Sequence, residues 1–118
     1  MSLPLGILLL SPGHERAHYA LVLATGAAAI GREVVLFVTN AACRLFAADR
    51  PLEADARESL LAARGVAGIT ALLDAAEELG IRRIACEAGL RSESLDAALL
   101  QPGVEVAGVV TLLSAAGA

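Results

Sequence analysis

The chain has 118 residues, 57% of them hydrophobic but only three aromatic (Tyr19, Phe37 and Phe46), and a formal charge of −4. That length predicts one domain with one core, built from Leu, Val, Ile and Ala. The acidic balance, with nine scattered arginines as its only cations, argues against a nucleic-acid partner, because neutralising phosphates takes clustered Lys or Arg.

Leu5–Leu10 is a continuous apolar run closed by Ser11-Pro12-Gly13, the pattern of a strand buried on both faces. From Glu15 to Ile30 the period becomes helical. Ala20, Leu23, Ala27 and Ile30 form one stripe, Leu21, Ala24 and Ala28 lie beside it, and Gly31 is a natural C-terminal cap. Val34–Val38 is β-branched and aromatic, hence a second strand, and Thr39-Asn40 offers an N-cap to a short helix through Cys43 and Phe46. Asp49–Arg64 mixes charge with Ala and Leu after Pro51 and reads as a loop holding a short helix. Thr70 can cap a helix over Ala71–Leu79, ended by Gly80, with Leu72, Leu73, Ala76 and Leu79 as its apolar stripe. Arg83–Cys86 then reads as a third strand, Ser94–Leu100 as a helix, Val104–Ala107 as a fourth strand and Val109–Ala116 as a terminal helix. The alternation predicts a single α/β domain: a mainly parallel sheet of four or five strands with helices on both faces.

No stretch reaches the roughly 18–20 consecutive apolar residues of a membrane span. The opening Met1-Ser2-Leu3-Pro4-Leu5-Gly6-Ile7 lacks the basic region and cleavage site of a secretory signal. A cytoplasmic location follows, and there the two cysteines are expected as free thiols.

In an open parallel sheet, ligands gather at the carboxyl ends of the strands. Four features fall at that edge: Ser11-Pro12-Gly13-His14-Glu15, Thr39-Asn40 with Cys43, Cys86-Glu87-Ala88-Gly89-Leu90-Arg91, and Gly108. Cys86 is the leading catalytic candidate, a thiol fixed by a strand and opening onto a glycine-containing loop. A free thiol is only a few per cent ionised at neutral pH, so a cation or helix amides must favour the thiolate. Arg91 and the amides after Cys86 can do so, whereas Glu87 opposes it. Equally, a small cysteine at a strand end can simply be packed. Cys43 lies near the start of the helix introduced by Asn40, where the dipole favours a thiolate, yet Ala41-Ala42-Cys43 also reads as a packing face. His14 can serve a thiol as base or proton donor, but His18 lies one turn on and the two rings can meet each other. No Cys-x-x-Cys pair supports a metal site, and neither Gly-x-Gly-x-x-Gly, Gly-Lys-Ser/Thr nor Gly-x-Ser-x-Gly occurs. No cofactor is expected.

Four segments together resemble the DsrE/DsrF-like family: Gly13-His14-Glu15-Arg16-Ala17, Val34–Thr39, Leu79-Gly80-Ile81 through Ala85-Cys86, and Val104–Val110. The resemblance covers most of the chain except Asp49–Arg64. It implies a flavodoxin-like α/β fold, assembly into dimers, trimers or hexamers, and sulfur trafficking, with the cysteine matching Cys86 holding sulfur as a persulfide. Some relatives have Met-rich residues after that cysteine, where this chain has Glu87-Ala88-Gly89-Leu90.

The expected function is therefore a sulfur relay through Cys86 with a thiol protein as donor or acceptor, and with His14, Asn40, Cys43, Glu87 and Arg91 as candidate binding residues. The alternatives are a non-catalytic oligomeric binding module and a Cys43/Cys86 thiol switch, the latter requiring Cα atoms within about 7 Å. Assembly is expected on physical grounds as well. The helix from Ala20 to Ile30 is apolar almost all round and Val106–Ala118 carries no charge, more aliphatic surface than a small monomer hides. A homo-oligomer follows, trimer or hexamer before dimer by the resemblance.

Overall fold

The computed structural model describes residues 3–117. Met1 and Ser2, which enter the signal-sequence argument, and Ala118, the end of the uncharged tail, lie outside the described residues.

Strand β2 (Val34–Val38) is buried at all five positions, as befits an interior strand of β-branched and aromatic residues. It pairs in parallel with β1 (Leu5–Leu9), from Leu5–Val34 to Leu9–Val38, and with β3 (Arg82–Cys86), from Val35–Arg82 to Val38–Ala85. The short β4 (Glu105–Ala107) joins the far side of β3, with Cys86 opposite Ala107. The order is β1-β2-β3-β4, all parallel, so the expected α/β architecture is the one found.

That order decides the layers. Each crossover steps one strand in the same direction, and right-handed crossovers that all step one way lay their helices on one face. On that face α1 (His14–Ala29), the 3-10 helix Asn40–Phe46, α3 (Ile69–Glu78) and α4 (Glu87–Ser92) pack on Leu9, Val34, Leu36, Val38 and Ala85. Among the described residues only α5 (Val109–Ala116), returning from β4, covers the other face, where Leu112, Ala115 and Ala116 meet Val35, Phe37, Ile84 and Cys86. Gly6 makes this possible, because a Cβ there would stand 2.5 Å from Ala116 Cβ. No helix among the described residues is long and apolar enough to cross a membrane.

Several expectations change. β1 is not buried on both faces: it is an edge strand, and Gly6 and Leu8 are exposed. The buried stripe of α1 is Ala17, Leu21, Ala24 and Ala27, while Leu23 is 48% and Ile30 80% exposed. Small residues face inward because α1 lies close between the sheet and α3. The two aliphatic helices, α1 and α5, lie on opposite faces of the sheet and do not cover each other. Thr70 is no cap: α3 begins at Ile69, whose amide donates to the Glu58 carboxylate (3.0 Å), and the Thr70 hydroxyl donates to Glu53. The helix expected over Ser94–Leu100 shrinks to the 3-10 turn Ala97–Leu99, capped by Asp96, because α4 has already followed directly on β3. Asp49–Arg64 contains a 3-10 turn, Pro51–Ala54, and α2 (Arg57–Ala63), neither with a buried residue.

Candidate functional site

The chain turns from β3 into α4 with no loop, which leaves Cys86 as the residue capping α4, in extended backbone. Thr39 leaves β2 one step beyond the Val38–Ala85 pair, and parallel strands lie about 4.8 Å apart, so the register brings Thr39 beside Cys86. Thr39 and the amides of Ala88 and Gly89, at the start of α4, are the polar groups around the Cys86 sulfur, short of a capping hydrogen bond. Burial alone would push this thiol up. The Thr39 hydroxyl and the two amides outweigh it, with Glu87 opposing, and the thiol ends below its ordinary value. Both thiols are buried, Cys86 keeping 8% of its surface in solvent and Cys43 none.

Gly89 holds the arrangement together. A Cβ there would stand 2.5 Å from the Asn40 amide nitrogen, 2.9 Å from Thr39 Oγ1 and 3.2 Å from Cys43 Sγ. Only glycine lets α4 lie this close to the turn leaving β2. Asn40 takes up that turn in the left-handed region, at φ 50°, a conformation Asn tolerates better than most residues. Its side chain is not part of a cap, and neither is that of Thr39.

Cys43 is a different kind of thiol. It is buried, its S–H donates to the Val38 carbonyl (3.6 Å), and the backbone amide of Cys86 lies near its sulfur. Burial is the main cause that raises it to about 11, opposed by that amide. Both cysteines are free, and they belong to the apolar clusters on opposite faces of the sheet.

The other candidates stand as follows. Arg91 and Glu87 form an exposed ion pair with each other, one helical turn apart, so the Arg91 charge is directed to Glu87 instead of the sulfur. His14 turns away from Cys86 altogether. Its ring is buried, Nε2–H donates to the Glu58 carboxylate (2.6 Å), and Nδ1 has no partner. His18 stacks on it with ring centroids 5.6 Å apart and donates to the Ala67 carbonyl (2.7 Å). Among the described residues no group of three His, Cys, Asp or Glu side chains is placed to hold a metal ion.

Three participants were not legible as such. Thr39 reads as a helix cap until β2 and β3 are known to be neighbours. Gly89 reads as a loop glycine until α4 is known to start at once. Glu58, which joins α2 to both α1 and α3, sits in the segment with the weakest pattern. A Thr at one strand end and a Cys at another is the signal available, and it becomes usable only with the strand order.

No family model matches the sequence, and a search of curated proteins finds no significant match. Solved structures do match in fold. The ychN protein from E. coli superposes with a TM-score of 0.67 at 14% identity, over 97% of this chain and 91% of its own. A protein of unknown function from Methanobacterium thermoautotrophicum, MTH1491, superposes with a TM-score of 0.59 at 18% identity, over 96% and 90%. Both share the α/β architecture of this chain, in agreement with the flavodoxin-like fold expected from the sequence. At these identities the likeness extends to the fold alone.

Proposed function

We propose that this protein is a sulfur carrier, with Cys86 as the residue that holds the sulfur. The observation that carries the reading is the position of Cys86, at the end of β3 and the first residue before α4, where the close approach of Gly89 sets the Thr39 hydroxyl and the first amides of α4 around the thiol and the thiol is lowered. Donors arranged around a thiolate stabilise it before any partner arrives, and the thiolate is the nucleophile. In the step proposed, the Cys86 thiolate attacks the outer sulfur of a donor persulfide. A new sulfur–sulfur bond forms on Cys86, the donor's sulfur–sulfur bond breaks, and the donor leaves as a thiolate with the electron pair. Attack by an acceptor thiolate on the outer sulfur of the Cys86 persulfide reverses the pattern, so neither step needs an oxidant or reductant. The sequence resemblance to DsrE/DsrF-like proteins and the shared fold support the same reading. The chemistry suits a reducing compartment such as the cytoplasm, where both thiols stay free.

Assembly belongs to this proposal. The outer side of α5 exposes Val109, Val110 and Leu113, with Leu8 and Val106 exposed nearby, and no residue from Val106 to Gly117 is charged. A second copy covering this face would lie beside the sheet face on which Cys86 packs. The relay is favoured over a Cys43/Cys86 switch because Cys43 is fully buried and raised to about 11, so it stays a thiol.

The test is intact mass after incubation with a small persulfide donor. Wild type and Cys43→Ala are expected to gain one sulfur atom, reversibly with dithiothreitol, and Cys86→Ser to gain none. Absence of the gain in wild type, or an equal gain in Cys86→Ser, would overturn the assignment.

A further inference from the structure

A second feature at the carboxyl edge of the sheet is independent of Cys86. Leu9 closes β1, Ala17 lies in the first turns of α1, and Ala42 and Leu45 project from the 3-10 helix Asn40–Phe46. Together with Pro51 and Leu52 they line a cavity of about 210 Å³. Pro51 and Leu52 belong to the strap that runs from Arg50 through α2. Neither helical piece of that strap has a buried residue of its own.

Polar ties hold the strap in place. Arg50 pairs with Asp74 at 2.9 Å, Glu58 accepts from His14 at 2.6 Å and from the Ile69 amide at 3.0 Å, and Arg57 pairs with Glu15 at 3.2 Å. Glu53 adds the Thr70 hydroxyl. These ties reach α1 and α3, so they fix the strap that brings Pro51 and Leu52 to the lining, with Leu52 packed against the core.

The lining defines what would fit. Its two polar members are Ser11 and Arg44. The Arg44 guanidinium donates to Glu93 at 3.2 Å, which weakens its pull on a carboxylate in the cavity. Ser11 has no side-chain hydrogen bond among the described residues. An apolar cavity of about 150 Å³ accepts benzene, and this one has room for a ring with a substituent. We propose that the cavity under the strap binds a small uncharged molecule, a single ring or short branched chain bearing one hydroxyl-type end directed to Ser11.

Amide NMR titrations of the full chain with benzene, phenol and benzoate test this. Benzene and phenol are expected to give saturable shifts centred on Leu9, Ala17, Ala42, Leu45 and Leu52, with benzoate at least about tenfold weaker because the apolar lining solvates a carboxylate poorly and Arg44 is shared with Glu93. Ser11→Ala should weaken phenol about fivefold, the loss of one hydrogen bond, and leave benzene unchanged. Ala41→Leu, at a half-buried lining position, should abolish binding of both while leaving the alkylation rate of Cys86 as it was. Leu52→Phe, which fills the cavity from the strap, serves the same purpose if Ala41→Leu does not fold. The proposal is overturned if wild type gives no saturable shift up to the solubility limit of the probes. It is also overturned if benzoate binds as well as phenol, or if the shifts survive in whichever filled variant folds.

Discussion

Replacing Glu58 by Ala should cost the protein about 2–4 kcal/mol, the sum of two separate losses. Glu58 supplies the acceptor at the start of α3, where Gly68 in the N-cap position has no side chain to offer and the Ile69 amide turns to the carboxylate instead. Losing such a cap costs about 1 kcal/mol. Glu58 is also the partner of His14 Nε2, on a ring whose side chain is 2% exposed and whose Nδ1 already lacks a partner. Without Glu58 the ring is buried with both nitrogens unsatisfied, a penalty of about 1–3 kcal/mol. Glu58→Gln keeps an oxygen acceptor and should lose less than half as much. Urea denaturation gives the answer, with Glu58→Ala lowering the midpoint at unchanged m. His14→Ala and the double variant close a cycle in which the two sites are expected to be coupled by at least about 0.5 kcal/mol. A Glu58→Ala loss below about 0.5 kcal/mol, or strict additivity with His14→Ala, would refute the view that this pair fastens α2 to α1 and α3.

The remaining predictions concern the thiols and assembly. The rate of iodoacetamide alkylation at Cys86 should rise with a midpoint below the ordinary value of about 8.5. Thr39→Val should move that midpoint upward and Thr39→Ser should not; an unshifted wild-type midpoint, or no response to Thr39→Val, contradicts the donor set. Cys43 should react only on unfolding, so native protein takes one alkyl group and denatured protein two; two in the native state would be incompatible with its burial. Because Cys43 is raised to about 11 when folded, the unfolded chain loses this proton first as pH rises past about 8.5. Its contribution to stability is therefore whole below that pH and declines toward pH 11 by about 3 kcal/mol. Cys86, lowered in the fold, contributes with the opposite sign, so the decline is read in a Cys86→Ser background, and Cys43→Ala in that background should flatten it. Finally, sedimentation at micromolar concentration should show an oligomer. Val110→Glu should yield folded monomer, since Val110 is 70% exposed on α5; a monomeric wild type would exclude the α5 interface.

The sequence by itself determined the class of the fold and the place of the candidate thiol. Strong local signals did this: the β-branched run Val34–Val38, the small-residue helix after His14, the glycines at 31 and 80 that end helices, and the uncharged terminal segment. Parallel connectivity follows from alternating elements, and a parallel sheet collects its strand ends at one edge, so Cys86 could be assigned to that edge without any contact being known. The elements with weak or competing local preferences were the ones misjudged. Ser94–Leu100 lost its helix because α4 begins immediately at Glu87, and α3 starts at Ile69, one residue before Thr70, because Glu58 caps it from eleven residues away.

Only the tertiary structure decided the rest, because it depends on strand order, which periodicity does not encode. The order β1-β2-β3-β4 makes Thr39 and Cys86 neighbours, separates His14 from the thiol, and puts Cys43 and Cys86 on opposite faces. It also gathers α1, α3 and α4 on one side and leaves α5 alone on the other, so β1 is an open edge and not a buried strand. Which stripe of α1 faces inward was beyond the sequence for a related reason. With Ala and Leu on nearly every side of the helix, hydrophobicity does not distinguish the faces, and close packing against the sheet and α3 selects Ala17, Leu21, Ala24 and Ala27.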